Sequence, residues 1–198
     1  GGQALADAEA RLKAAEQAAR QARPPAYGWH SAIAARPDEG KWVQVDLGRS
    51  VAVDRVVLAP CSDDFNSIGD GFGFPVRYRV EVSDDPTFRE DVRVIASREG
   101  ADEPNPKIRT VVHPASGVRG RWVRLTTTRL APRKGDYIVA LAELLVFDAG
   151  GVNLAKGAEV TALDSIEAPV RWARKNLTDG LYPAAGDEAV AAAKSERE

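Results

Sequence analysis

The chain has one cysteine, two histidines and no methionine in 198 residues. Cys61 cannot form a disulfide within the chain, which excludes a small disulfide-stapled scaffold but not an extracellular location. No apolar run approaches the roughly 20 residues that a membrane-spanning helix needs, so we expect no insertion into a membrane. The formal net charge is −2, and we expect no nucleic-acid partner, because such a partner requires a clustered positive surface.

Few side chains suit a catalytic role. Cys61 has no histidine or asparagine companion at a recognisable spacing, and His113 is best interpreted as a satisfied or surface histidine. The adjacent carboxylates at 63–64 and 84–85 point in different directions in an extended chain, which argues against paired acid–base work. The sequence has no phosphate-binding loop, no zinc-type cysteine pair and no HExxH motif. We therefore predict that the chain is not an enzyme on its own.

The Gly-Gly start and the missing methionine are typical of a fragment cut from a longer protein. For that reason, the lack of a signal peptide does not bear on secretion.

The sequence is rich in short alternating stretches. In KWVQVDLG at 41–48, polar and aromatic residues alternate with Val43, Val45 and Leu47, which is the two-residue period of a strand. We predict strands near 42–47, 51–59, 76–83, 91–96, 108–113, 121–128 and 138–147. Turn-forming Asp, Pro and Gly separate them, and no amphipathic segment of helix length intervenes. The pattern is typical of a mainly β, antiparallel β-sandwich. The predicted core is Val43, Val45, Leu47, Val80, Val82, Val123, Leu125, Leu144 and Val146, and we also expect Trp42 and Trp122 to be core residues.

Helices are predicted at both ends of the chain. Residues 3–23 are rich in Ala, Glu, Lys, Arg and Gln, with a heptad seam at Leu5, Ala8, Leu12, Ala15, Ala19 and Ala22. Pro24 and Pro25 should end this helix. Residues 186–198 form a second, shorter helix. Because a lone helix of this length is marginal in water, we expect the two helices to approach each other.

The order of these stretches resembles the discoidin family, also called coagulation factor V/VIII C-type domains, which includes many bacterial carbohydrate-binding modules. The resemblance rests on a strand ending in Asp-Leu-Gly, one ending in Val-Ser-Asp-Asp, a Trp-Val-Arg strand and a closing Ala-Glu-Leu-Leu-Val-Phe strand, all within 27–148. It implies a galactose-binding-like jelly roll and a non-catalytic module that targets a larger exported bacterial protein to polysaccharide. It also implies an extracellular, periplasmic or cell-surface location. The alternative is a structural spacer or protein-interaction domain that binds no sugar.

The chain divides into a helix at 1–25, a β-sandwich at 26–150, a segment at 151–185 and a helical tail at 186–198. The third segment is unusual, because 153–162 and 176–180 resemble the opening of a discoidin domain but follow the closing strand. Either a second, truncated copy begins there, or the segment folds back onto the first sandwich. We favour the second interpretation, since the first and last strands of the family's sandwich lie close together.

The loop at 60–75 combines three Asp, one Asn, three Gly and three Phe. A sugar offers an apolar ring face and a rim of hydroxyls, which this mixture suits. The candidate glycan-binding residues are Trp29, His30, Asp63, Asp64, Asn66, Phe72 and Tyr137. The rings of Phe72 and Phe74 are the candidate platforms on which a sugar could stack. The basic loop at 129–137 could add guanidinium and aromatic contacts to a sugar or bind an acidic glycan, and its alternative is a solvated loop whose Tyr137 begins the last strand. The alternative is that the phenylalanines tuck under the loop while the aspartates cap turns.

A structural calcium ion is also implied by the resemblance. Many family members bind one through an Asp-Gly turn near the domain start and a glutamate in the closing strand. Glu143 matches the glutamate, and Asp179 matches the aspartate if the 151–185 segment completes the same domain. The alternative is that Glu143 is a solvated or hydrogen-bonded strand residue. Carboxylate and carbonyl oxygens are the ligands that calcium requires.

Overall fold

The computed structural model describes residues 2–21 and 27–197, with no side-chain description at 19–21 and 197. The predicted stop at Pro24 and Pro25 and the seam position Ala22 lie outside this range, as does the side chain of Ala19. The helices are α1 (Gly2–Gln21) and α2 (Ala185–Arg197), and 3₁₀ turns occur at Phe65–Ser67 and Arg174–Thr178. The strands are β1 (Trp29–His30), β2 (Lys41–Ala59), β3 (Cys61–Asp63), β4 (Gly69–Phe72), β5 (Arg77–Ser83), β6 (Arg93–Arg98), β7 (Val111–Arg129), β8 (Ala131–Pro132), β9 (Tyr137–Ile138), β10 (Ala140–Leu141), β11 (Glu143–Phe147) and β12 (Glu159–Ala162).

Two long, bent strands organise an antiparallel β-sandwich. The first half of β2 pairs with the second half of β7, and the second half of β2 pairs with the first half of β7. The register shifts between Asp46 and Val51, where Gly48 has a φ of 81° that favours glycine. Strands that bend in this way pass from one layer of a sandwich to the other. The four strands predicted near 42–47, 51–59, 108–113 and 121–128 are therefore two continuous strands.

The layers follow from the pairing. β5 and then β6 extend the sheet from the second half of β7, while β11 pairs with the second half of β2. The predicted mainly β, antiparallel fold is confirmed. Eight of the nine predicted core residues are fully buried, and Leu47 is partly buried against the same core.

Trp42 and Trp122 are not core residues, contrary to expectation. They are half-buried on the outer face of the sheet, because they alternate with Val43 and Val123, which point inward. The guanidinium carbon of Arg124 lies 4.0 Å from the Trp42 ring centroid, and that of Arg121 lies 4.4 Å from the Trp122 ring centroid. Each tryptophan thus packs under an arginine.

The segment after the closing strand returns to the sandwich. β12 pairs antiparallel with the first half of β2, with Val160 opposite Val45. Ala155 and Leu177 are fully buried in the same core as the sandwich valines. This pairing covers the edge that β2 would otherwise expose.

The two helices pack against each other. Ala8 and Leu12 of α1 and Ala193 of α2 are buried, and Arg11 lies 3.2 Å from Glu196. Leu5 is 50% exposed, so the predicted seam does not extend to this first position. Within the described ranges, neither helix is long and apolar enough to cross a membrane.

Candidate functional site

The loop between β3 and β4 presents an exposed aromatic ring at one end of the sandwich. Its 3₁₀ turn begins where the buried carboxylate of Asp63 accepts a hydrogen bond from the backbone N–H of Phe65 at 2.9 Å. Asn66 follows with a φ of 51°, a left-handed conformation that asparagine tolerates better than most residues. As a result Phe65 remains 41% exposed.

The loop between β8 and β9 contacts this ring. The guanidinium carbon of Arg133 lies 4.8 Å from the Phe65 ring centroid, and the amide of Asn66 donates to the backbone carbonyl of Arg133 at 2.8 Å. Arg133 also makes a two-point ion pair with Asp136, at 2.9 and 2.7 Å. This pair lowers the pKa of Asp136 to about 2. We call Phe65, Asn66, Arg133 and Asp136 the Phe65 surface.

Chemically, the Phe65 surface combines one accessible ring with a guanidinium, a carboxylate and a side-chain amide. The exposed carboxylate of Asp64 lies beside it at the start of the turn. A ring flanked by short polar groups matches the two kinds of surface that a sugar presents.

Three of the predicted aromatic contacts do not reach this surface. Trp29 is 1%, His30 is 4% and Phe72 is 2% exposed, so their rings are buried and offer no open face for a sugar to stack on. Trp172 packs against two of them, with ring centroids 5.0 Å from His30 and 5.9 Å from Phe72. The indole N–H of Trp29 donates to the carbonyl of Asp164 at 3.2 Å. Burial lowers the pKa of His30, so its imidazole is a neutral part of the cluster.

Asp63 and Tyr137 each make contacts that stabilise the fold, and Phe74 is buried. Asp63 binds Arg171 at 2.8 Å as well as the Phe65 amide. The half-buried ring of Tyr137 packs against the core, and its backbone pairs with Ala34 and Pro132. Neither side chain is free to act as a ligand group in this arrangement. Of the seven sequence candidates, Asp64 and Asn66 are the two that lie exposed at the end of the sandwich.

Sequence reasoning missed Phe65 as the exposed ring and Arg133 with Asp136 as its neighbours. Arg133, Gly135 and Asp136 lie in the basic loop at 129–137, which the sequence analysis names as a possible source of guanidinium contacts. The spacing of Arg133 and Asp136 was the available signal, since a turn at Gly135 allows the two side chains to meet.

The predicted metal ligands meet at a different place. Glu143 in β11 is fully buried, and its Oε1 accepts a hydrogen bond from the backbone N–H of Gly180 at 2.9 Å. Its Oε2 has no hydrogen-bond partner among the residues that the structure describes. Burial and the neighbouring Asp179 carboxylate raise the pKa of Glu143 to about 9, and burial raises the pKa of Asp179. A cation would relieve both effects. In the described part of the chain, no group of three or more His, Cys, Asp or Glu side chains could hold a metal, so Glu143 and Asp179 stand as a pair.

Comparison with known families identifies the fold. The model of the F5/8 type C domain matches residues 6–144. The chain belongs to the F5/8 type C domain family. The predicted resemblance to discoidin domains is therefore confirmed.

Solved structures similar to this F5/8 type C chain include several carbohydrate-binding modules. Module CBM32-3 of a family 31 glycoside hydrolase from Clostridium perfringens is 15% identical, with a TM-score of 0.46 over 60% of this chain and 72% of that one. Chitosan-binding module 1 of a chitosanase/glucanase from Paenibacillus sp. IK-5 is 19% identical, with a TM-score of 0.42 over 59% and 74% of the two chains. A fucose-binding module from Streptococcus pneumoniae is 14% identical, with a TM-score of 0.38 over 60% and 70%. No curated protein sequence matches this F5/8 type C chain.

Proposed function

We propose that the chain is a non-catalytic carbohydrate-binding module that holds a longer protein near polysaccharide. The observation that carries this proposal is the Phe65 surface, where a 41% exposed ring lies beside Arg133, Asn66 and Asp136. Membership of the F5/8 type C family supports it, because the fold presents loops at one end of a rigid sandwich.

The Phe65 surface would bind one or two sugar units. One face of the Phe65 ring is covered by Arg133, which leaves the other for the apolar face of a sugar. Asp64, Asn66 and Asp136 then lie close enough to the turn to meet hydroxyls. Such sites are shallow, and we expect a Kd on the order of 0.1–1 mM, or about 4–5.5 kcal/mol of binding free energy.

A second candidate function is a spacer or protein-interaction domain that binds no sugar. The burial of Trp29, His30 and Phe72 favours it, since a sugar site usually displays more than one ring. The two proposals differ in whether a glycan binds at the Phe65 surface.

The test is a glycan array followed by calorimetry with the best ligand. Phe65→Ala should weaken binding at least tenfold, because it removes the ring on which the sugar packs. Asn66→Gly keeps the left-handed backbone conformation but removes the amide, and it should weaken binding as well.

Phe88→Ala is the matched control. Phe88 is a half-buried ring that packs with Arg124 on the outer face of the sheet, in the loop between β5 and β6, so this variant should bind as wild type does. A folded protein that binds no glycan on the array would instead favour the spacer. Equal binding by wild type, Phe65→Ala and Asn66→Gly would place the site elsewhere.

We also propose that one calcium ion binds between Glu143 and Asp179. The buried Oε2 of Glu143 supports this, because it has no hydrogen-bond partner in the described ranges and such a buried carboxylate oxygen is costly. Glu143 and Asp179 would supply carboxylate oxygens, and backbone carbonyls or water would complete the coordination. The ion would join the closing strand β11 to the segment at 174–180.

Finally, we propose that the longer protein is exported and carries this module outside the cytoplasm. The support is the family's use in glycan-binding proteins, since polysaccharide is an extracellular substrate. Fractionation of cells expressing the full-length protein would test this, and a solely cytoplasmic protein would contradict it.

A further inference from the structure

A surface depression lies at the corner where the two long strands, β2 and β7, both bend. It has a volume of about 300 Å³ and is formed by three separate pieces of chain. β2 contributes the turn around Gly48, β7 contributes its bend near Gly117, and the turn after β11 closes the third side. We call this the corner pocket, and its lining includes Arg49, Ser50, Val51, Arg119, Asp148 and Leu154.

The corner pocket is positively charged. Arg49 forms no ion pair or side-chain hydrogen bond with any residue that the structure describes, and Arg119 donates only to the carbonyl of Ser50, at 3.4 Å. Asp148 forms no salt bridge with either arginine, and its carboxylate instead accepts the backbone N–H of Val152 at 2.9 Å. The two guanidiniums and one carboxylate give the lining a net charge of +1.

Among the arginines of the strands this pairing state is uncommon. Most of the others hold carboxylates, as Arg121 holds Asp46 at 2.8 Å and Arg77 holds Asp102 at 2.6 Å. Two guanidiniums that share a concave site without a carboxylate partner are a receptor for an oxyanion, because guanidinium donors fit carboxylate and sulfate oxygens in a planar fork.

The corner pocket also has an apolar wall. Val51 and Leu154 are half-buried in its lining. Its volume lies at the lower end of the range for small-molecule sites, about 300–1,000 Å³. A free inorganic anion would leave this wall uncovered, whereas a single sugar ring would cover it and turn hydroxyls towards Asp148 and the carbonyl of Ser50.

We propose that the corner pocket binds an acidic sugar, with Arg49 and Arg119 on its carboxylate and Leu154 against its ring. The site is separate from the Phe65 surface. The strand segment 51–59 lies between them, and at about 3.3 Å per residue it spans roughly 25 Å. The chain then has a second contact with polysaccharide, and this contact selects for negative charge.

The experiment is a two-dimensional NMR titration with sodium glucuronate, compared with glucose and with sodium acetate at constant ionic strength. Glucuronate should give saturable shifts at residues 49–52, 119–120 and 148–154, with a Kd in the millimolar range. Arg49→Gln with Arg119→Gln should weaken this binding at least tenfold. The matched control is Arg89→Gln with Arg109→Gln, which removes the same charge at two arginines outside the pocket whose side chains form no ion pair with a described residue.

The outcomes separate the alternatives. Equal shifts with acetate would show that the sugar ring does not contribute to binding, and equal shifts with glucose would show that the carboxylate does not. Either result overturns the proposal. An equal loss in the control pair would show that only overall charge matters. Phe65→Ala should leave the glucuronate shifts unchanged even if it abolishes binding at the Phe65 surface, and a loss there would place the acidic sugar at that surface instead. The absence of saturable shifts in wild type would also overturn the proposal.

Discussion

The phenolic oxygen of Tyr78 lies 2.9 Å from Nε2 of His113, with both side chains buried in the sandwich. Tyr78 stands in β5 and His113 in the first half of β7, so the contact joins two layers of the fold. A neutral imidazole accepts this hydrogen bond, whereas a protonated one would compete as a donor. Burial and the nearby Arg98 lower the pKa of His113 to about 4, and burial raises the pKa of Tyr78 to about 12.

His113 should make the protein less stable in mild acid. Its pKa is about 4 in the folded protein and roughly 6.5 in the unfolded chain, so the unfolded chain binds more protons between these values. The stability that His113 contributes is present above pH 6.5 and is lost as the pH falls towards 4, by up to about 3 kcal/mol. Urea unfolding at several pH values measures this loss.

His113→Gln keeps an acceptor for Tyr78 but cannot be protonated. Its free energy of unfolding should depend less on pH between 6.5 and 4 than that of wild type. Parallel pH profiles for the two proteins would show that His113 does not titrate as its burial implies.

Leu177 tests whether the segment at 151–185 completes the sandwich, as we infer from the pairing of β12 with β2. Leu177 is fully buried among the sandwich core residues. Leu177→Ala should lower the free energy of unfolding by about 3 kcal/mol, within the usual range for a buried leucine. Leu181→Ala is the control, because Leu181 is 53% exposed and its loss should cost no more than about 0.5 kcal/mol. Similar values for the two variants would mean that the segment is not part of the cooperative core.

The helix pair can be tested with two leucines of α1. Leu12 is 8% exposed and Leu5 is 50% exposed. Leu12→Ser should melt the α1–α2 contact, reduce the helical circular dichroism signal and speed amide exchange in both helices, because a buried apolar contact is lost. Leu5→Ser should change none of these. If both variants keep full helicity, packing at Leu12 does not hold the pair together.

The sequence could predict what local alternation decides. Val43 and Val45 face inward because a half-buried strand must turn every second residue to the core, and this pattern is visible in eight letters. The bend at Gly48, where two predicted strands join into one, could not be predicted from local alternation. It depends on β7, a strand distant in sequence, bending beside it.

The candidate site shows the same limit. Phe65 and Phe72 stand seven residues apart in one loop, and nothing local says which is exposed. Phe72 is buried because Trp172, one hundred residues later, packs at 5.9 Å from it. The turn that carries Phe65 is fixed by Asp63 and by the bond from Asn66 to the Arg133 carbonyl, and in this turn the ring stays 41% exposed. Composition identified the loop, but tertiary contacts decide which of its rings is exposed.

Calcium should stabilise the protein through Glu143, and the effect should depend on pH. In the metal-free protein the pKa of Glu143 is about 9, above its usual value. Its contribution to stability is therefore fully present below about pH 4.5 and is lost as the pH rises towards 9. Calcium binds the carboxylate form, so it must displace the proton at low pH, and its effect should be larger at pH 8 than at pH 5.5. At one hundred times its Kd, calcium would add about 2.7 kcal/mol.

Glu143→Gln distinguishes the stabilisation by calcium from the cost of burying a carboxylate. The amide mimics the protonated acid and keeps an oxygen for the Gly180 N–H, so the metal-free variant should be at least as stable as wild type at pH 8. It should not respond to calcium, because it lacks the charge that the ion requires. Glu159→Gln, at an exposed position in β12, should respond as wild type does. Melting curves of each protein, chelated and then supplied with calcium at pH 5.5 and pH 8, measure both effects. A calcium shift of equal size in Glu143→Gln would place the ion elsewhere, and no shift in chelated wild type would show that the buried pair shares a proton instead of a metal.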